Sequence, residues 1–248
     1  MRRVWQAALV ALLLALGALA AWPASWLDVP LSAATGARWR LAGAEGTLWR
    51  GSAQPVFVGE DGTVLPASRI GWDWQGAALW QGALAWTLVS DAGEGRLALR
   101  PDGWQLERFS AAVPVGALAG LSDTWRAARL GGVLVLDVGR FGRQAGRFDG
   151  AATLEWRGAS SPLTRIQPFG SYRLAASGAG ERIALQLATL AGPLTIDGQG
   201  SWQIGQLPDF GGQASSSEAD YPALKPLMLM LGLPDGPTSV RWRARATI

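Results

Sequence analysis

The chain has 248 residues, 49% of them hydrophobic and 17% charged, which is enough apolar content to bury a core and excludes a disordered protein. It contains neither Cys nor His, so disulfides, thiol chemistry, the usual base of a serine triad and the usual ligands of zinc, copper and iron–sulfur sites are excluded, and no metal or other cofactor is expected. The net charge is only +3 beside a pI near 10.1, and the arginines are scattered singly with no run beyond Arg2-Arg3, so no nucleic acid is expected as a partner.

After Arg2-Arg3 comes an uncharged apolar stretch from Val4 to Trp26, long enough at ~1.5 Å per residue to cross a bilayer as a helix. Residues 1–27 are read as a membrane anchor. The basic pair before it and Asp28 after it orient the N-terminus to the cytoplasm and the bulk of the chain to the far side. Trp5, Trp22 and Trp26 stand where interfacial aromatics are expected. A cleaved signal peptide is the competing reading, since Ala18-Leu19-Ala20 has the small-x-small form. The retained anchor is preferred because the apolar run continues past that point to Trp22.

The phrase Gly46-Thr47-Leu48-Trp49-Arg50-Gly51 is read as a short strand fenced by glycines and as the head of a sheet. From Trp39 onward the period is two, with glycines at the ends of short alternating runs. Ile70, Trp72 and Trp74 share one face. Leu84, Trp86 and Leu88 follow, then Leu97 and Leu99, Trp104 and Leu106, and Leu134, Leu136 and Val138. Arg100-Pro101-Asp102-Gly103 has the form of a hairpin turn.

Leu154-Glu155-Trp156-Arg157-Gly158 echoes the head phrase and opens a second series: Tyr172 and Leu174; Ile183, Leu185 and Leu187; Leu194 and Ile196; Trp202 and Ile204; and a last strand with Val240 and Trp242. Short proline-introduced helical pieces are predicted at Val113 to Leu118 and at Tyr221 to Leu231, and residues 210–217, rich in Gly and Ser, as a loop. The matching phrases and prolines suggest an internal duplication, with residues 28–131 and 132–248 as two β-rich halves of one domain. The predicted fold is therefore mainly β: a transmembrane helix, then a curved, largely antiparallel sheet of two similar halves with one or two short helices.

Candidate chemistry is sparse. Asp73, Asp137, Asp149, Glu155, Asp197 and Asp209 are the acids a glycosidase would draw on, but carboxylates on the outward face of alternating strands are ordinarily solvated surface groups. Gly93-Glu94-Gly95 and Gly198-Gln199-Gly200 complete no phosphate-binding motif and are read as strand-end turns. No enzymatic activity is expected.

The chain has 14 tryptophans. Packing under a curved sheet is the preferred reading for Trp49, Trp72, Trp74, Trp86, Trp156 and Trp202. Trp80, between two strands, is the best candidate for an exposed contact. Arg50, Trp72 and Trp74 complete the residues considered for contact with a partner or lipid.

With the anchor, the head phrase, the pair Ile70-Gly71-Trp72-Asp73-Trp74 and Gly82-Ala83-Leu84-Ala85-Trp86, and Pro168-Phe169-Gly170-Ser171-Tyr172, the chain resembles the protein N family of type II secretion systems nearly end to end. The resemblance implies a single-pass protein of the cell inner membrane with a β-rich periplasmic domain. It implies an accessory rather than catalytic part in protein secretion, with other inner-membrane or periplasmic components of that machinery as partners. It carries no catalytic or metal motif. A second reading, from the aromatic inner face alone, is a periplasmic module that handles lipid or lipopolysaccharide in a β-groove.

Overall fold

Among the described residues, the glycine-bounded alternating runs pair into one antiparallel sheet of fifteen strands. The structure is a computed structural model and describes residues 17–59, 62–116, 127–203, 206 and 208–243. The strands are β1 (Trp39–Gly46), β2 (Arg50–Val58), β3 (Val64–Pro66), β4 (Ile70–Trp74), β5 (Leu84–Ser90), β6 (Gly93–Arg100), β7 (Gly103–Pro114), β8 (Gly131–Gln144), β9 (Arg147–Ser160), β10 (Gly170–Ala179), β11 (Arg182–Ala191), β12 (Leu194–Gln203), β13 (Asp209–Ser216), β14 (Leu233–Pro234) and β15 (Ser239–Arg243). Helix α1 (Asp28–Ala34) precedes the sheet, and α2 (Tyr221–Leu231) lies between β13 and β14.

The strand order is almost the chain order, β1-β2-β4-β5 and onward to β13, then β15 and β14, with β3 paired to β2 alone. The sheet does not close: β1 and β14 are its two edges. Asp28 blunts the first of these. Its carboxylate accepts the Leu41 backbone N–H at 2.7 Å and holds Arg40 at 2.6 Å.

Alternation places apolar side chains in rows across one face. One row runs through Trp74, Trp86, Leu97, Leu106 and Phe141 on β4 to β8, and a second through Ala111, Leu136, Leu154, Leu174 and Leu187 on β7 to β11. Between the rows the period of two slips. Arg108 adopts φ +50° and is left out of the β7–β8 pairing, whose register is kept, while β8 shifts register against β9 between Val138 and Arg140. These irregularities let Leu106 and Phe109, three positions apart, pack in the same cluster.

Helix α2 covers one end of this face. Leu224, Leu227 and Met228 pack against Leu194, Ile196, Ala214 and Val240, with Phe169 and Tyr172 in the same buried cluster. Full burial of each such aliphatic side chain contributes about 1.5–3 kcal/mol. The buried Tyr172 hydroxyl donates to the Leu194 carbonyl at 2.9 Å, and burial pushes its ionisation well above the ordinary phenol range.

Three local expectations are corrected. The phrase from Gly46 to Gly51 is a turn with its flanks, since β1 ends at Gly46 and β2 starts at Arg50. Residues 210–217 are not a loop: β13 pairs with β12 on one side and β15 on the other. Gly198-Gln199-Gly200 lies inside β12, not at a strand end. A Cβ at Gly198 would meet the Trp242 ring at 2.5 Å, so that glycine makes room for a large ring rather than for a turn.

The Arg100-Pro101-Asp102-Gly103 hairpin, the alternating faces and the helix at Tyr221 to Leu231 are as predicted. The echo Leu154 to Gly158 lies within β9, whereas its counterpart is the β1–β2 turn. In the other expected helical piece, Val113 and Pro114 finish β7, while Ala117 and Leu118 lie outside the described residues.

Candidate functional site

The β1–β2 turn is held from three sides by tryptophans. Gly46 enters it at φ +83°, and Thr47 closes it, its N–H donating to the Arg50 carbonyl at 2.8 Å while its hydroxyl oxygen accepts the N–H groups of Trp49 and Arg50 at 3.2 Å each. The carbonyls of the turn point outward. The Trp72 indole donates to the Thr47 carbonyl at 3.0 Å, and the Trp86 indole to the Leu48 carbonyl at 3.3 Å. Trp74 donates its backbone N–H to the Trp49 carbonyl at 2.6 Å and sets its ring 5.0 Å from that of Trp49. Indoles suit this task because one side chain supplies both apolar area and a donor.

The same turn grips the segment that leads out of the N-terminal apolar stretch. The Trp49 indole donates to the Leu19 carbonyl at 2.8 Å, and the Leu48 backbone N–H donates to the Trp22 carbonyl at 3.0 Å. Pro23 bridges Thr47, and Ala24 is buried beneath. Trp22 and Trp26 meet edge to face at 5.4 Å, each with part of its ring in solvent. Residues 17–20 are helical. Among the described residues no helix is long and apolar enough to cross a membrane, and residues 1–16 of the expected anchor lie outside them.

Beside this cluster, residues Gly76–Gln81 form a 3-10 turn between β4 and β5. Ala78 is buried in it with Ala83, Ala85 and Ala98, while Trp80 stands 94% exposed at its tip and Leu79 is half exposed. Trp72 and Trp74, also considered for contact, are half-buried and engaged in holding the turn. Arg50 is largely exposed and reaches Asp73 at 2.6 Å. A surface pair of this kind contributes little to stability, at most about 1 kcal/mol.

The structure disperses the candidate acids. Glu155 is gripped by Arg157 at 2.7 Å and Arg173 at 2.6 Å, whose hydrogen bonds hold its carboxyl below the usual range. Asp149 faces Arg140, Asp209 faces Arg243, and Asp197 accepts the Gln213 backbone N–H. Among the described residues no group of acids could hold a metal ion.

The family model for type II secretion system (T2SS), protein N, matches residues 37–243. The chain belongs to that family. Its role is therefore in type II secretion. No curated protein and no solved structure matches the chain. The T2SS protein N match starts two residues before β1 and stops with the last residue of β15, so the family is defined by the whole sheet together with α2. The tryptophan-bound turn lies inside the match, and the segment it grips, Leu19 to Ala24, lies before it. Sequence reading assigned the tryptophans to packing without finding this arrangement. The only local signal was the glycine fence, because Gly46 and Gly51 are needed where the turn closes: a Cβ on Gly51 would meet the Glu45 carbonyl at 2.5 Å and the Trp72 ring at 2.9 Å.

Proposed function

We propose that the chain is an accessory structural and interaction component of the type II secretion machinery. In this reading the N-terminal segment anchors it in the cell inner membrane as a single transmembrane pass, and the sheet stands in the periplasm. The observation that carries the reading is the family match across the whole described sheet, behind an uncharged apolar stretch of sequence from Val4 to Trp26. The stretch has the length and the flanking charges of a span.

The sheet is a scaffold with two unclosed edges and an exposed aromatic tip, features that suit docking to other inner-membrane or periplasmic components. It works without cofactor or turnover, a reading supported by the arginine partners of Asp73, Asp149, Glu155 and Asp209. The test is a pull-down of the detergent-solubilised full chain from cells making the complete machinery. Recovery of other secretion components is expected, and recovery of none would reject the reading.

A second reading, lipid or lipopolysaccharide handling, has one observation in its favour. The row Trp74, Trp86, Leu97, Leu106 and Phe141 is half-buried, whereas the end under α2 is filled. Native mass spectrometry would detect bound acyl chains if this face carries them, and a bare protein mass would reject it.

A further inference from the structure

Leu79 and Trp80 are presented, not merely left exposed. The turn that carries them is closed by four backbone hydrogen bonds, Gln75 to Ala85, Ala78 to Gln75, Gly82 to Leu79 and Ala83 to Ala78, at 2.8–3.1 Å. Gly82, at φ +68°, ends it in a conformation that favours glycine, and the Gln75 side chain is tied to the Thr87 hydroxyl at 2.9 Å. A loop this well fixed, with small buried residues inside and the most exposed tryptophan of the described residues outside, holds an apolar tip out from the body.

Its position follows from the register. Arg50 pairs with Asp73 and Trp74 with Trp86, so the β1–β2 turn and the β4–β5 turn leave the same end of the sheet. At that end Trp49 packs on Trp74 and holds the Leu19 carbonyl. Leu19, Trp22, Trp26, Leu79 and Trp80 are all among the chain's exposed large apolar residues. The uncharged stretch that begins at Val4 thus enters the described structure beside the Trp80 tip. No charged residue occurs from Trp74 to Ser90, and at this end of the sheet Arg50 and Asp73 are paired with each other at 2.6 Å. Tryptophan flanked by small and uncharged residues is at home in the interfacial layer of a bilayer.

We propose that Leu79 and Trp80 are a second membrane contact, entering the interfacial layer of the bilayer that the N-terminal stretch spans. The inference rests on the anchoring reading and adds an orientation: the β1–β2 and β4–β5 turns face the membrane, and the sheet runs away from it. Two points of attachment limit rotation of the domain about its anchor.

The natural absence of cysteine makes the test direct. Leu79→Cys and, at the opposite end of β5, Asp91→Cys each give the full-length chain one thiol, which takes an environment-sensitive fluorophore. Reconstituted in vesicles of phosphatidylethanolamine and phosphatidylglycerol, the label at position 79 loses fluorescence to nitroxide-bearing lipid and the label at 91 does not. Equal, unquenched signals from a chain that resists alkaline extraction overturn the membrane contact and leave the anchor standing. Extraction of the chain by alkali overturns the anchor and the contact with it. A label at 79 unquenched in vesicles but shielded in membranes holding the complete machinery assigns the tip to a protein partner and overturns the proposal. Trp80→Ala controls for folding, its far-UV circular dichroism matching the parent.

Discussion

The Trp49 indole and the Leu19 carbonyl, 30 residues apart, form a 2.8 Å hydrogen bond that joins the N-terminal segment to the first turn of the sheet. Trp49→Phe keeps most of the ring that packs on Trp74 and removes this donor. The global loss is expected to be small, about 0.5–1.5 kcal/mol. The local effect is larger: hydrogen exchange at the Leu48 amide, which donates to Trp22, should accelerate while amides of β8 and β9 stay protected. Unchanged exchange at Leu48 would mean that the segment is held by other contacts.

Glycines in the strands test whether the tryptophan packing is as tight as it stands. Gly198→Ala sets a methyl group against the Trp242 ring, and the expected destabilisation is about 1–3 kcal/mol. Gly139 has nothing within 4 Å of the corresponding position, so Gly139→Ala should stay within about 0.5 kcal/mol of the parent. Urea unfolding midpoints of the two variants, compared side by side, check the difference.

The cover of the second core is tested by Leu224→Ala. Leu224 is fully buried against the cluster that includes Leu194 and Val240, and the expected loss is about 2–5 kcal/mol. Because α2 lies on β12 to β15, protease sensitivity should rise first in residues 217–238.

Acid should weaken the fold through two carboxylates. The hydrogen bond from Arg40 lowers the Asp28 pKa, aided by the Leu41 N–H, and those from Arg157 and Arg173 lower that of Glu155. A carboxyl with a lower pKa in the folded chain than in the unfolded one stabilises the fold above its unfolded value, and that contribution disappears as pH falls through the folded value. Urea midpoints should therefore fall on acidification below about pH 4.5, the upper end of the ordinary carboxylate range. The fall should be shallower in Asp28→Asn and Glu155→Gln. A parent and variants with parallel acid limbs would show that these pairs are not linked to folding.

How far the sequence foretold this structure depended on whether a feature was periodic or long-range. Ile70, Trp72 and Trp74, or Leu134, Leu136 and Val138, declare their strands because alternation is a local consequence of the pleat. β13 was hidden because Phe210 to Ser217 contains two glycines and three serines. A Cβ on Gly211 would meet the Trp242 carbonyl of β15 at 2.8 Å and one on Gly212 would collide with the Asp197 carbonyl of β12, requirements set by the neighbouring strands. Phe109 and Ala111 fell out of the pattern because the irregularity at Arg108 breaks the period while keeping the face. At the candidate site, the position of Trp80 between two strands was enough to single it out. The bonds of Trp72, Trp86 and Trp49 to backbone carbonyls depend on partners 25 to 38 residues away, and no local pattern records them.

The near-sequential strand order also bears on how the domain is made. From β5 to β13 each strand pairs with the one before it, so a chain emerging from its N-terminus can lay down the sheet in order of arrival, each hairpin templating the next with little loop to close. The exception is the finish. β15 must seat itself between β13 and the short β14 after α2 has been made, and only then is the growing edge at β13 covered. A chain that stops short of Ser239 would keep that edge as an open template, and such fragments should be captured by quality-control proteases or pair with one another.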